Sequence, residues 1–242
     1  MWTDIVFSPA RWPWILLAAL ALGTLACGPH FQNRAPDCEI LPSRTVVLPP
    51  IVSADIVDLG DNVQDDPKHA KTIVDVFLPE MERQRSLLRM NPFAREKLDQ
   101  CGEPCLDQLQ SLMEWGADAS LEIMAQMRGR KDFKRDSVVD WRAQRSYERL
   151  RKVMGADFAL IVRAHDTRPT KGRLLIPPLA GVITSYLKFV SVCVADLLYG
   201  RMVWCEAKVG GSRLMEDPEG VQSAFTEILS GFESAPRSSS SK

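Results

Sequence analysis

Two short runs near the carboxyl end, Phe189 to Asp196 and Met202 to Val209, constrain this chain most, because they face each other across Leu198-Tyr199-Gly200. They read as a β-hairpin. Setting Asp196 opposite Met202 pairs Ala195 with Val203, Val194 with Trp204 and Cys193 with Cys205. Alternation then gathers Phe189, Ser191, Cys193 and Ala195 on one face, with Val203, Cys205 and Ala207 opposite them. That face is apolar and built of small residues, so a helix can pack close to it. Cys193 and Cys205 are expected side by side, either as two thiols or as a disulfide where their Cβ atoms come within about 3.5–4.5 Å. A one-residue slip would send them to opposite faces.

The rest of the chain supplies the partners of that hairpin. Thr45-Val-Val-Leu48 is a strand signal stopped by Pro49-Pro50, which cannot donate to a ladder. Asp66-Pro67 is a helix start, an N-cap followed by Pro at the first helical position. Ala70, Ile73, Val74 and Phe77 recur at helical spacing until Pro79, which is expected to end the run. Leu109, Met113, Gly116, Ser120, Ile123 and Met127 form a second stripe, broken by the charged stretch from Arg128 to Asp136. Ala143, Tyr147, Leu150 and Met154 form a third, closed by Gly155 as C-cap. Asp157 to His165 reads as a largely buried strand. Asp217-Pro218 repeats the helix start, and Val221, Ala224, Phe225, Ile228 and Leu229 give the helix an apolar face. The expected fold is α/β: one mixed sheet with a carboxy-terminal hairpin and amphipathic helices packed on it.

The amino terminus speaks to location. Arg11 precedes the apolar run from Trp14 to Leu22, followed by Gly23-Thr-Leu-Ala-Cys27. This is the layout of a secretory signal. Residues 1–26 are expected to be removed and Cys27 to be lipidated; the other reading is an uncleaved signal anchor, although a span needs about 20 apolar residues. Residues 27–43, with Pro29, Pro36 and Pro42, are expected to be a tether, 44–233 the folded domain and the Ser-rich 234–242 a disordered tail. Export places the other cysteines in an oxidising compartment. Cys38, Cys101, Cys105, Cys193 and Cys205 then remain, an odd number, so at least one is free or paired between chains.

Ala156-Asp157-Phe-Ala-Leu-Ile-Val162, followed by Val194-Ala-Asp196-Leu-Leu-Tyr-Gly200-Arg-Met-Val-Trp204 and preceded by Val46-Val-Leu-Pro-Pro50, resembles small bacterial envelope lipoproteins. These are the curli-secretion and penicillin-binding-protein-activator lipoproteins, and the resemblance spans roughly residues 45–232. It implies an α/β envelope domain with an accessory role in export or envelope assembly. A shared fold does not by itself carry a shared function. The expectation is a non-enzymatic, periplasm-facing protein, held to the membrane by its lipid and binding other envelope proteins, with self-association open. Gly28 is not the Asp that enterobacterial sorting uses for inner-membrane retention, which favours the outer membrane. The alternative is a cell-wall or lipid hydrolase built from carboxylates. Two close buried carboxylates in a cleft would favour it, and a helix-covered domain with an open sheet edge would favour the binder.

Other chemistry is thin. Thirty basic and 31 acidic residues give a net charge of −1, with no field for nucleic acid. No phosphate loop, zinc-protease or nucleophile-elbow signature occurs, so no catalytic residue, metal or cofactor is assigned. His30, His69 and His165 are dispersed and read as polar residues at surfaces and strand ends. Asp55, Asp58, Asp61, Asp65 and Asp66 surround Gly60, but not at calcium-loop spacing, and a solvated loop is expected there. Cys101-Gly-Glu-Pro-Cys105 has three intervening residues rather than the two of a redox motif, and a local disulfide is expected. Arg168, Lys171 and Arg173 are expected on one loop beside the apolar segment from Leu174 to Leu187, a possible surface for anionic headgroups or a partner.

Overall fold

The computed structural model describes residues 30–34, 40–58, 62–129, 146–170, 188–210, 215 and 217–233. In chain order these form β1 (His30–Arg34), β2 (Thr45–Val47), β3 (Ile51–Val57), β4 (Val63–Asp65), α1 (Pro67–Leu87), α2 (Arg95–Cys101), α3 (Glu103–Gly129) and α4 (Glu148–Met154). There follow β5 (Phe158–Pro169), β6 (Lys188–Asp196), β7 (Arg201–Val209) and α5 (Pro218–Glu233). The sheet order is β1-β7-β6-β5-β3-β4, and β2 also pairs with β5. β2 and β3 run parallel to β5, while the other pairs are antiparallel. The fold is therefore α/β with one mixed sheet.

Alternation along β5 explains the layers. Phe158, Leu160, Val162 and Ala164 face one side with Val190, Val192 and Val194 of β6, under Ile73, Phe77 and Met81 of α1 and Phe225, Ile228 and Leu229 of α5. Ala159 and Ile161 face the other, with Cys193, Ala195, Cys205 and Ala207, under α2, α3 and α4. A sheet covered on both faces needs strands apolar on both faces, and β5 to β7 have them.

The hairpin register holds in the body of the strands. Val194 pairs with Trp204 and Cys193 with Cys205. Near the turn a bulge between Val194 and Ala195 shifts it, so that Ala195 faces Met202 and Asp196 faces Arg201. Met202 takes the place expected for Val203, and Val203 joins the α1–α5 core. A bulge adds one residue to one strand, which strict alternation does not anticipate.

Three further expectations are corrected. Pro79 does not end the first helix, which runs on to Leu87. It sits on the exposed side with Asp75, whose carbonyl loses its donor where water can replace it, while Ile73, Phe77, Met81 and Gln84 continue the buried stripe. The acidic stretch from Asp55 is a hairpin, not a loop: β3 continues to Val57, and β4 returns with Val63 opposite Val57. Within the expected tether, His30 to Arg34 pair along β7 from Lys208 to Trp204 and cover what would otherwise be its open edge. On either side of the strand interruption at Pro49-Pro50, β2 and β3 lie along successive parts of the single strand β5.

The small-residue face admits α3 closely. A Cβ on Gly116 would stand 2.7 and 2.8 Å from Cδ1 and Cγ2 of Ile161. One turn on, the Ser120 hydroxyl donates to the Gly116 carbonyl and receives the Ser191 hydroxyl, each at 2.8 Å in the buried interface. Gly116→Ala gains about 1 kcal/mol of helix propensity. Overpacking costs about 1–3 kcal/mol. A lower denaturant midpoint is expected, and the loss caused by Gly116→Ala should shrink when it is made in an Ile161→Ala background. A single Gly116→Ala variant at least as stable as the parent would contradict this contact.

Candidate functional site

Polar chemistry collects at the end of the sheet where β3 and β5 finish. Asp66 caps α1: its Oδ1 accepts the His69 amide at 3.0 Å, and its Oδ2 accepts the Arg168 guanidinium at 2.8 Å. The His69 amide first, then Arg168, holds the Asp66 carboxyl below its ordinary range. The cap turns His69 inward from the first helical turn. Its Nε2 lies 2.7 Å from Oδ2 of Asp166, and Lys188 Nζ lies 3.4 Å from the same oxygen. Asp166 is wholly buried (0% exposed). Its Oδ1 has no hydrogen-bond partner among the described residues. One carboxylate thus ties α1, β5 and β6 together. Removing either basic partner would leave a buried charge undercompensated, so the cluster fixes the helix rather than contributing large net stability.

Alternation sends the neighbouring His165 to the opposite face. Its Nδ1 lies 2.8 Å from the Ser53 hydroxyl, Nε2 lies 2.9 Å from the Thr167 hydroxyl, and Asp55 Oδ2 is 3.7 Å away. The ring stands 5.6 Å from that of Phe189. Ser53, His165 and Asp55 are the residue types of a hydrolytic triad. Here, however, Ser53 is held within the ladder opposite His165, and the better-placed group on Nε2 is a hydroxyl. His69 and His165 occupy opposite faces, so they share no ligand position. His30 is placed by its backbone pairing with Lys208.

A second buried carboxylate gave no signal in the sequence reading. Glu206 on β7 is 0% exposed and lies between Cys205 and Ala207 in chain order, on the α5 side of the sheet. Burial, reinforced by the Glu227 carboxylate on α5, pushes its carboxyl up to about 8. Lys208 is paired with Glu227. A carboxylate at an inward position of an otherwise apolar strand was the available clue. Asp166 pairs with Lys188 and Glu206 with Val192, on strands two apart. Their Cα atoms are therefore roughly 16 Å from each other at ordinary strand spacings. Paired glycosidase carboxyls lie about 5–9.5 Å apart.

Of the expected site residues, Arg168 is on β5 rather than a loop, and its guanidinium is engaged by Asp66. The strand runs longer than expected because β3, extending through the acidic stretch, pairs with it as far as Pro169. Lys171, Arg173 and Cys27 lie outside the described residues, as does Cys38. Cys101 and Cys105 form one disulfide (Cα–Cα 5.9 Å), and Cys193 and Cys205 a second (4.1 Å). The second is in the core, with both residues at most 1% exposed.

Two grooves open between described residues. One of about 320 Å³ is lined by Asp107, Gln108, Ser111, Ser146 and Tyr147, and the Tyr147 ring stacks on Trp115. The other, between α1 and α5 beside Met81 and Phe225, holds only about 10 Å³, room for no more than a water. Neither is lined by a histidine or by the buried carboxylates. Among the described residues, no helix is long and apolar enough to cross a membrane.

No family model matches the chain, and no curated protein matches it. Among solved structures it is similar to PelC dodecamers from Paraburkholderia phytofirmans. With a point variant of PelC the TM-score is 0.35 at 13% identity, covering 86% of this chain and 99% of that one. With a second PelC crystal form the values are 0.34 and 11%, covering 84% and 97%. Likenesses of this size do not carry a function across.

Proposed function

We propose that this chain is a lipid-anchored protein of the bacterial envelope that works by binding other envelope proteins in assembly or export. Cys27 carries the lipid, and the outer membrane is the favoured location. The observation that carries this reading is the pairing of Cys193 with Cys205 inside the core. Such a bond persists in an oxidising compartment. Together with the apolar leader ending at Cys27, it supports export. The resemblance to curli-secretion and penicillin-binding-protein-activator lipoproteins supports the same setting. A helix-covered sheet with β4 exposed along its length offers backbone groups to a partner. The wide separation of Asp166 from Glu206 weighs against the carboxylate hydrolase.

Anchoring follows acyl arithmetic: each buried methylene contributes about 0.8 kcal/mol, and stable attachment takes two chains rather than one. Cys27→Ser is expected to leave an unprocessed or soluble product, read by intact mass and by membrane fractionation. A Cys27→Ser chain that matures and sediments with membranes as the parent does would refute the lipid anchor.

A further inference from the structure

The register of β1 says which end of the domain a lipid on Cys27 would hold. Only Gly28 and Pro29 separate Cys27 from the start of β1 at His30, three Cα–Cα steps in all. Fully extended, they reach about 11 Å. His30 pairs with Lys208, near the end of β7, and Arg34 with Trp204, so β1 runs from that end toward the β6–β7 turn. The same end carries Lys188, whose carbonyl accepts the Gly210 amide at 3.1 Å. Across the sheet it continues through Pro169, paired with Val57, to the β3–β4 hairpin, where Val57 faces Val63. The β6–β7 turn stands at the opposite end: Lys208 to Arg201 spans about 23 Å at ordinary strand rise. That is about twice the reach of the tether.

Resting on the lipid-anchored reading above, we propose that the domain stands end-on at the bilayer. The His30–Lys208 end and the β3–β4 hairpin meet the phospholipid headgroup layer, and the β6–β7 turn points away from it. The exposed groups fit these two settings differently. Val63 is 63% exposed at the hairpin. An exposed apolar side chain at that end suits the boundary between acyl chains and headgroups. At the far end Leu198 and Tyr199 are 42% and 69% exposed, and the Arg201 guanidinium lies 5.6 Å from the Tyr199 ring. End-on docking keeps these groups off the bilayer and accessible from the aqueous side.

The test uses the complete chain in vesicles of phosphatidylethanolamine and phosphatidylglycerol. Benzoylphenylalanine is placed singly at Val63, Asn62, Leu198 or Tyr199, all exposed positions. After irradiation, phospholipid adducts are read by mass. Adducts at Val63 and Asn62, with none above background at Leu198 and Tyr199, are expected. Adducts at the turn, or at none of the four positions, would overturn the orientation. The intact mass of the unirradiated chain separates the two ideas. A chain without acyl groups defeats the anchor and the orientation together, whereas an acylated chain that crosslinks through the turn defeats the orientation alone.

Discussion

The parent chain is expected to lose stability between about pH 4.5 and about pH 8, and Glu206→Gln to flatten that decline. The folded carboxyl titrates at about 8, because it is buried against α5 and near Glu227, while its ordinary value is 4.5. Between those pH values the folded chain holds a proton that the unfolded chain has released. Stability contributed by the neutral acid is therefore complete below about 4.5 and lost as pH rises through about 8. At 1.36 kcal/mol per pH unit the full loss is about 5 kcal/mol. Gln keeps the shape and carries no charge, so the two proteins should unfold at similar denaturant concentrations in acid and diverge steadily toward pH 8.5. Unfolding curves across that range decide it. Parallel profiles would mean that Glu206 stays ionised in the folded chain.

Phe225→Ala is expected to be the most damaging single truncation on the α1–α5 side. Phe225 is 1% exposed and meets Phe77 edge to face, with ring centroids 5.4 Å apart at 67°. Losing a buried Phe costs about 3–5 kcal/mol. The aromatic pair adds about 0.5–1.5 kcal/mol of its own. The gap beside it is nearly closed already, so little relaxation can refill the hole. Leu78→Ala, at a 46% exposed position of α1, is the companion measurement and should shift stability by no more than about 0.5 kcal/mol. Equal losses in the two variants would mean that α5 does not pack where Phe225 lies against Phe77.

Much of the sheet was legible because burial on both faces leaves strong patterns. Phe158 to Ala164 and the β6–β7 pair are apolar enough to be read as strands, and Asp66-Pro67 and Asp217-Pro218 mark their helices by a physical mechanism. Both caps are made, the second by Asp217 accepting the Gly220 amide at 2.6 Å. What was not legible depends on context that composition hides. Asp55-Ile56-Val57 reads as acidic loop, yet β5 supplies it with a parallel partner. The strand His30 to Arg34 is mostly polar, without the apolar alternation that marks a strand, yet it pairs along β7. Pro79 is tolerated because of the side of α1 it occupies, which only the packing decides. The candidate site was less legible still. His165 and Asp166 are adjacent in sequence but face different layers, and Ser53, His69 and Lys188 reach them from three other places in the chain.

The pairing of β1 with β7 has a consequence for the order in which this molecule can assemble. Made from its amino terminus, the chain first presents β1, β2 and β3, whose partners β7 and β5 are the last strands to appear. Apart from the β3–β4 turn and the bridge of Val46 to Asn91, these early strands wait for their sheet partners, β2 and β3 until β5 is made and β1 until β7 is made. Non-local pairing of this kind slows folding and leaves strand edges open meanwhile. A polar first strand and short second and fourth strands are poor templates for mispairing during that wait. The polar composition that hid the first and fourth strands from a sequence reader also keeps them quiet before their partners arrive.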